Sequence, residues 1–213
     1  NVKTASGGTV TGTATGAGQY GGGINTVAEN GATVIYIGAN VTGNRYSAIY
    51  TQAINGATTI NLVANATGNT HGILSKASGS GNITVTTGTG GTVTGTTKDG
   101  IQTEAVNGAT VINLGANVTG GQSGIFSEAT GTGGITVTTG TGGTVTGTTE
   151  NGIETVAVDG ATTINLGADV TGATKGISSD TSGTGTTSII IGSGSTVTGG
   201  SQAIYAKTKT GDV

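Results

Sequence analysis

The sequence predicts an all-β fold: a right-handed parallel β-helix with three short strands per coil and about eight coils. Three observations carry that expectation. Blocks of sequence recur at a fixed spacing, apolar residues alternate with polar ones inside each block, and Gly-rich steps separate the blocks. GGTVTGTT at 90–97 returns at 142–149, and ATVINLGANVTG at 109–120 returns as ATTINLGADVTG at 161–172, each 52 residues later. A fixed period of that size marks a solenoid or array, and alternation with period two marks strands.

The 52-residue unit splits into two unequal halves, each carrying three patterns. The first is an apolar pair: Ile35/Ile37, Ile60/Leu62, Ile83/Val85, Ile112/Leu114, Ile135/Val137, Ile164/Leu166 and Ile189/Ile191. The second is a lone Val or Ala in x-V-T-G: Val10, Val41, Ala66, Val93, Val118, Val145, Val170 and Val197. The third is a Gly-Ile or Ala-Ile step at Ile24, Ile49, Ile73, Ile101, Ile125, Ile153, Ile177 and Ile204. Asn30-Gly31, Asn55-Gly56, Asn107-Gly108 and Asp159-Gly160 supply corner residues. One coil cannot bury its own apolar side chains, but stacked neighbours can. The three lists therefore become inward columns, and Ile60, Leu62, Ile112, Leu114, Ile164 and Leu166 are expected to be buried. A left-handed hexapeptide helix needs a shorter, stricter period. Eight coils give a rod about 40 Å long.

Composition narrows the function classes. The 213 residues include 45 Gly and no Pro, Cys, Met or Trp, with 8% charged and 3% aromatic residues. Thiolate metal sites and disulfides are excluded. A net charge of −3 does not suit a phosphate backbone, so no nucleic-acid partner is expected. No apolar run reaches the roughly 20 residues of a membrane span, so membrane insertion by this segment is not expected either. The opening NVKTASGG lacks the basic start and apolar stretch of a signal peptide.

The imperfect Gly/Thr/Asn/Val-rich coils, the VTG corners, the DGI, NGI and KGI steps (Asp99–Ile101, Asn151–Ile153, Lys175–Ile177) and the missing Cys resemble the passenger region of bacterial autotransporter adhesins of the pertactin-like β-helix family. The resemblance covers essentially the whole chain. It implies a β-helical domain over 1–213, a piece of a longer exported protein, secreted or displayed on the bacterial surface. It further implies adhesion to a host-cell or matrix receptor, or self-association, with a released receptor-binding passenger as a variant. The serine-protease passengers of that family carry a GDSGS-like nucleophile motif that this sequence lacks, and no enzyme and no cofactor are expected.

Two other readings compete. The outward residues flanking the Val column form a nearly uncharged ladder of Thr and Asn, which also resembles the Thr-x-Thr faces of ice-binding β-helices. Asn at some coils and unequal coil lengths are expected to spoil a flat grid. Polysaccharide-active β-helices need clustered carboxylates. The ten acids here, Glu29, Asp99, Glu104, Glu128, Glu150, Glu154, Asp159, Asp169, Asp180 and Asp212, read mostly as singletons, one per coil; Glu150 and Glu154 are the closest pair but sit at a corner and the following strand, and no pair is expected to share a deep cleft. His71, the only His, reads as an exposed loop residue. The Gly-rich turns carry no Asp for calcium, and no metal site is expected. Asn40, Asn65, Asn82 and Asn117 head Asn-x-Ser/Thr triplets that such a composition produces by chance.

The charged ladder Gln52, Lys76, Glu104, Glu128, Val156, Asp180 and Lys207 marks a wet face. The neutral face approaches a partner without stripping water from charges. Partner contact is therefore expected at Thr92, Thr94, Asn117, Thr119, Thr144 and Thr146, extended by the outward-facing Tyr36 and Tyr50.

Overall fold

The computed structural model describes residues 1–12, 22–210 and 213. Every regular element among them is a β-strand, and no helix is long and apolar enough to cross a membrane. The strands form three parallel sheets of eight, and the chain visits the sheets in turn. One full coil runs Thr110–Leu114, Asn117–Gly120 and Ile125–Ala129 through sheets 1, 2 and 3. The fold is thus a parallel β-solenoid with three strands per coil, as the repeat predicts.

Why these residues form strands is visible in the burial pattern. In the central strands of sheets 1 and 3, alternate residues are buried, and the intervening ones are half-exposed. The Val column of sheet 2 and the Ile column of sheet 3 stack in the expected register. Ile60, Leu62, Ile112, Leu114, Ile164 and Leu166 are all buried in one continuous core.

Sheet 1 departs from the expected register at two strands. Val85, not Ile83, pairs with Ile60 and Ile112, and Val137, not Ile135, pairs with Ile112 and Ile164. A slip of two residues keeps every side chain on its own face, so the apolar alternation alone does not fix it. The inward row is therefore three residues wide, reading Thr-x-Ile-x-Leu in one coil and Ile-x-Val-x-Thr in the next. The Thr residues are part of the interior. Thr87 Oγ1 accepts from Gly115 N–H and Ala116 N–H, each at 3.1 Å. Thr139 does the same for Gly167 and Ala168, at 2.9 and 3.1 Å. Each hydroxyl thus pins the corner of the following coil. Thr58, Thr110 and Thr162 have buried hydroxyls with no partner, a cost that the surrounding apolar burial offsets.

Sheet 3 carries a second internal polar row. Thr51, Thr103 and Thr155 donate to Ser75, Ser127 and Ser179 of the next coil at 2.7, 2.8 and 2.9 Å. These small residues keep the interior narrow, and their pairing repeats with the 52-residue unit. Coil-length differences are absorbed in the loops. The GTGG insertions put Gly90 and Gly142 at φ of 85° and 93°, a conformation open to Gly. The strands on either side stay in register.

Candidate functional site

The Thr/Asn ladder lies on sheet 2 as expected. Thr11, Thr42, Thr67, Thr94, Thr119, Thr146, Thr171 and Thr198 form one in-register column. Unequal coils do not break it. The neighbouring column, which holds Thr92, Asn117 and Thr144, is mixed, and its amides are engaged within the solenoid. Asn65 Oδ1 accepts from Thr92 N–H at 2.9 Å and from Thr92 Oγ1 at 3.1 Å. Asn117 Oδ1 accepts from Thr144 N–H at 2.9 Å and from its hydroxyl at 3.2 Å. Asp169 Oδ1 takes Thr196 N–H at 2.7 Å. These side-chain oxygens cap the strand of the next coil.

Tyr36 and Tyr50 do not extend that ladder. Tyr36 stands on sheet 1, 47% exposed, beneath the Lys3 ammonium. Tyr50 stands on sheet 3, where its hydroxyl donates to Gln52 at 2.7 Å. The three sheets face three directions, so the eight predicted contact residues occupy three faces.

A different feature emerges at the corner between sheets 2 and 3. The residue before each Gly-Ile or Ala-Ile step sits there, giving the column Ser47, His71, Asp99, Ser123 and Asn151, tied coil to coil by backbone hydrogen bonds. All but His71 are buried. One flank is the outward row of sheet 3, in register as Tyr50, Leu74, Gln102, Phe126 and Glu154. The other flank is the loop row Tyr46, Thr70, Lys98, Gln122 and Glu150, linked by the same kind of ladder. Two concavities follow this corner and share His71 and Leu74 as lining. One, of about 270 Å³, is walled mainly by apolar atoms around Tyr46, Tyr50 and Leu74. The other, of about 440 Å³, is open and lined by Phe126, Gln102, Gln122, Lys98, Asp99, Glu150 and Glu154. Together they cross six coils, about 24 Å along the axis.

The depression also gathers acids that the sequence places far apart. Asp99 lies two coils from Glu150 and Glu154, and the three line one depression, because stacking brings residues 51 and 55 positions apart to one corner. Asp212 lies outside the described residues. Ser123 joins two of the acids: its N–H donates to Asp99 Oδ1 at 3.0 Å, and its hydroxyl donates to Glu154 Oε2 at 3.4 Å. Asn151 Nδ2 also donates to Glu154 Oε2, at 2.8 Å. Burial pushes the Asp99 carboxyl up to about 6. The Ser123 N–H opposes that shift, and Glu150 and Glu154 add to it.

His71 is half-buried, not an exposed loop residue. Burial lowers its pKa to about 4 against the opposing hydrogen bond to Gln102, with Lys98 and Lys76 lowering it further. Its ring is neutral at pH 7, with Nδ1 3.4 Å from Ser47 Oγ. Ser47, His71 and Asp99 follow one another along the corner but do not make a nucleophile–base–acid relay. Asp99 is engaged by Ser123, and His71 by Ser47 and Gln102. Among the described residues there is no group of three His, Cys, Asp or Glu able to hold a metal ion.

The two shifted groups set a pH dependence. Folded Asp99 keeps its proton up to about pH 6, against 3.8 ordinarily, so its contribution favours folding at low pH and is lost as pH rises through 6. Folded His71 stays neutral down to about pH 4, against 6.5 ordinarily, so its contribution is present above 6.5 and is lost as pH falls towards 4. Between pH 4 and 6 the slopes oppose each other. Urea titrations should find wild-type stability nearly flat there. In Asp99→Asn, stability should rise with pH across the window and exceed wild type at pH 7 by up to about 3 kcal/mol. Asn151 already occupies the equivalent corner position, so the substituted amide fits. A wild-type-like profile for Asp99→Asn would show that this carboxyl is not desolvated.

The chain matches no protein-family model, no curated protein and no solved structure.

The sheet 3 flank escaped sequence reasoning because outward residues were grouped by charge. The residue immediately after each Gly-Ile or Ala-Ile step reads Asn25, Tyr50, Leu74, Gln102, Phe126, Glu154, Ser178 and Tyr205, a row that shows the flank in the sequence.

Proposed function

We propose that this chain is an adhesive rod, a binding segment of an exported bacterial surface protein of the autotransporter-passenger kind, acting outside the cell through the corner groove. The observation that carries the reading is the groove itself: an elongated, side-chain-lined concavity across six coils of a scaffold whose inward columns hardly change. Fixed interior columns leave each coil free to present a different outward residue. Broad contacts repeated at short intervals suit multivalent attachment.

The proposed surface differs from the sequence expectation because Tyr46, Tyr50, Phe126 and the two concavities lie at the corner between sheets 2 and 3, while the amides beside the Thr column are occupied internally. The test is adhesion of protein-coated beads to epithelial cells, to matrix-coated surfaces and to one another. Wild-type beads should attach to at least one of these. A Tyr46→Ala/Leu74→Ala variant should lose most attachment with its circular dichroism spectrum unchanged. A Thr94→Lys/Thr119→Lys/Thr146→Lys variant should retain it. The opposite result would assign contact to the Thr ladder, and wild-type beads that attach to nothing would reject the adhesive reading.

One observation favours a second reading. Asp99, Glu150 and Glu154 line a common depression, and glycosidic cleavage uses paired carboxylates. Release of reducing ends from polysaccharides, lost in Glu154→Gln, would support it.

A further inference from the structure

We propose that the corner groove binds a neutral glycan chain laid along the solenoid axis, its sugar rings stacking on Tyr46, Tyr50 and Phe126. This inference rests on the adhesive reading and names its ligand class.

Three features of the groove select that class. The first is what it lacks. The backbone on both sides of the corner is already committed: Lys98 N–H, Gln122 N–H and Glu150 N–H bond to the carbonyls of Thr70, Lys98 and Gln122, and the N–H groups of Gly72, Gly100 and Gly124 bond to the carbonyls of Asp99, Ser123 and Asn151. An extended peptide recognised by strand addition needs a free edge, and none runs along this groove. Recognition here has to come from side chains.

The second is the kind of side chain present. Tyr46 and Tyr50 face the smaller concavity from opposite flanks, with the carboxamide of Asn25 beside them. Phe126 stands three coils beyond Tyr50 in the same row, about 14 Å away. Gln102 and Gln122 lie between and opposite. A sugar ring has an apolar C–H face and a rim of hydroxyls. An aromatic ring with its electron-rich face meets the first; amides, which both donate and accept, and carboxylates, which accept, meet the second. The coil spacing of about 4.8 Å is comparable to the length of one sugar residue, so a chain running along the axis meets equivalent wall positions residue after residue.

The third is charge. Lys76 is held by the Glu104 carboxylate at 2.7 Å. The remaining charged groups are Lys98 and, over the Tyr46 ring at 6.0 Å from its centroid, Arg45, against Asp99, Glu150 and Glu154. That balance repels uronates and sulfated sugars and tolerates neutral ones. The floor is also set in advance. Ser123 and Asn151 fix Glu154, and Thr174 Oγ1 donates to Asn151 Oδ1 at 2.7 Å, so little ordering is needed on binding.

The experiment is isothermal titration of the intact chain with cello-, malto- and chito-hexaose, with oligogalacturonate and a heparin hexasaccharide as anionic probes, and with an unstructured neutral decapeptide. Binding of at least one neutral hexaose is expected, weakened tenfold or more by Phe126→Ala and, independently, by Gln102→Ala, and unchanged by Thr94→Lys. Two variants are used so that a folding defect in one, visible by circular dichroism, leaves the other decisive. No binding by any neutral hexaose, tighter binding of the anionic probes or the peptide, or wild-type affinity in both Phe126→Ala and Gln102→Ala would each overturn the inference. Bead adhesion separates the two levels. Adhesion that persists when no hexaose binds rejects the glycan while keeping the rod, whereas absence of wild-type adhesion rejects the rod itself.

Discussion

Gly120→Ala is expected to abolish cooperative folding of the central coils, with a loss above about 4 kcal/mol. Gly120 is the last residue of V-T-G, where the chain leaves sheet 2 for the corner. A Cβ there would overlap the Ser123 carbonyl oxygen and also lie 2.8 Å from the Gly100 amide nitrogen of the preceding coil. Both obstacles are backbone, so no rotamer change relieves them. The corner can open only by lengthening the coil-to-coil hydrogen bonds that hold it. The same close approach recurs at Gly95 against Asp99 and at Gly147 against Asn151, which is why the motif ends in Gly. Gly142, at φ 93°, is the comparison. Its Cβ would meet open space, so Gly142→Ala carries only the cost of an unfavourable φ, about 1–2 kcal/mol. Thermal unfolding should separate the two variants clearly. Equal melting temperatures would mean that the corner relaxes more easily than its packing implies.

That Gly also forms the groove. Because the strand end in sheet 2 passes so close to the next residues of its own chain, the corner folds inward and buries Ser123 and Asn151 as a floor between two raised rows. The sequence makes the VTG repeat plain, and period-two alternation is enough to place Val118 and Ile125 inside. It does not reveal concavity, which depends on how closely backbone segments approach. Nor does it reveal which residues meet there. Asp99 and Glu154 are 55 positions apart, and only stacking over successive coils of unequal length brings them to one depression. The sheet 1 register was hidden for a related reason. Ile83 can face Ile60 or Thr58 with its side chain still pointing inward, and the choice is made by Thr87, whose hydroxyl must reach the Gly115 and Ala116 amides.

Ile112→Asp is expected to be the most damaging single core substitution, worse than Leu114→Asp two residues along the same strand. Both side chains are buried, at 0% and 5% exposure, and both changes remove a large apolar group and insert a carboxyl. The register distinguishes them. Ile112 lies between Val85 and Val137 of the adjacent coils, so a carboxylate there meets hydrocarbon on both sides within its sheet. Leu114 lies between Thr87 and Thr139, whose hydroxyls already sit at that level of the interior and can donate to an added oxygen. An ionised carboxyl without partners costs far more than a hydrogen-bonded one, and in practice it stays protonated by a large upward pKa shift. Ile112→Asp combines that penalty with the cavity left by Ile, for a loss of about 5 kcal/mol or more, comparable to the whole stability of an ordinary domain. Leu114→Asp should lose several kcal/mol yet keep a measurable transition at pH 4. Because each coil is covered only by its neighbours, the damage at Ile112 should spread along the axis. Hydrogen exchange should show protection lost first in the coils on either side and last at the two ends. Uniform loss of protection over all eight coils would mean that the solenoid folds as one unit instead, and greater damage from Leu114→Asp would reject the register that places Thr87 and Thr139 beside it.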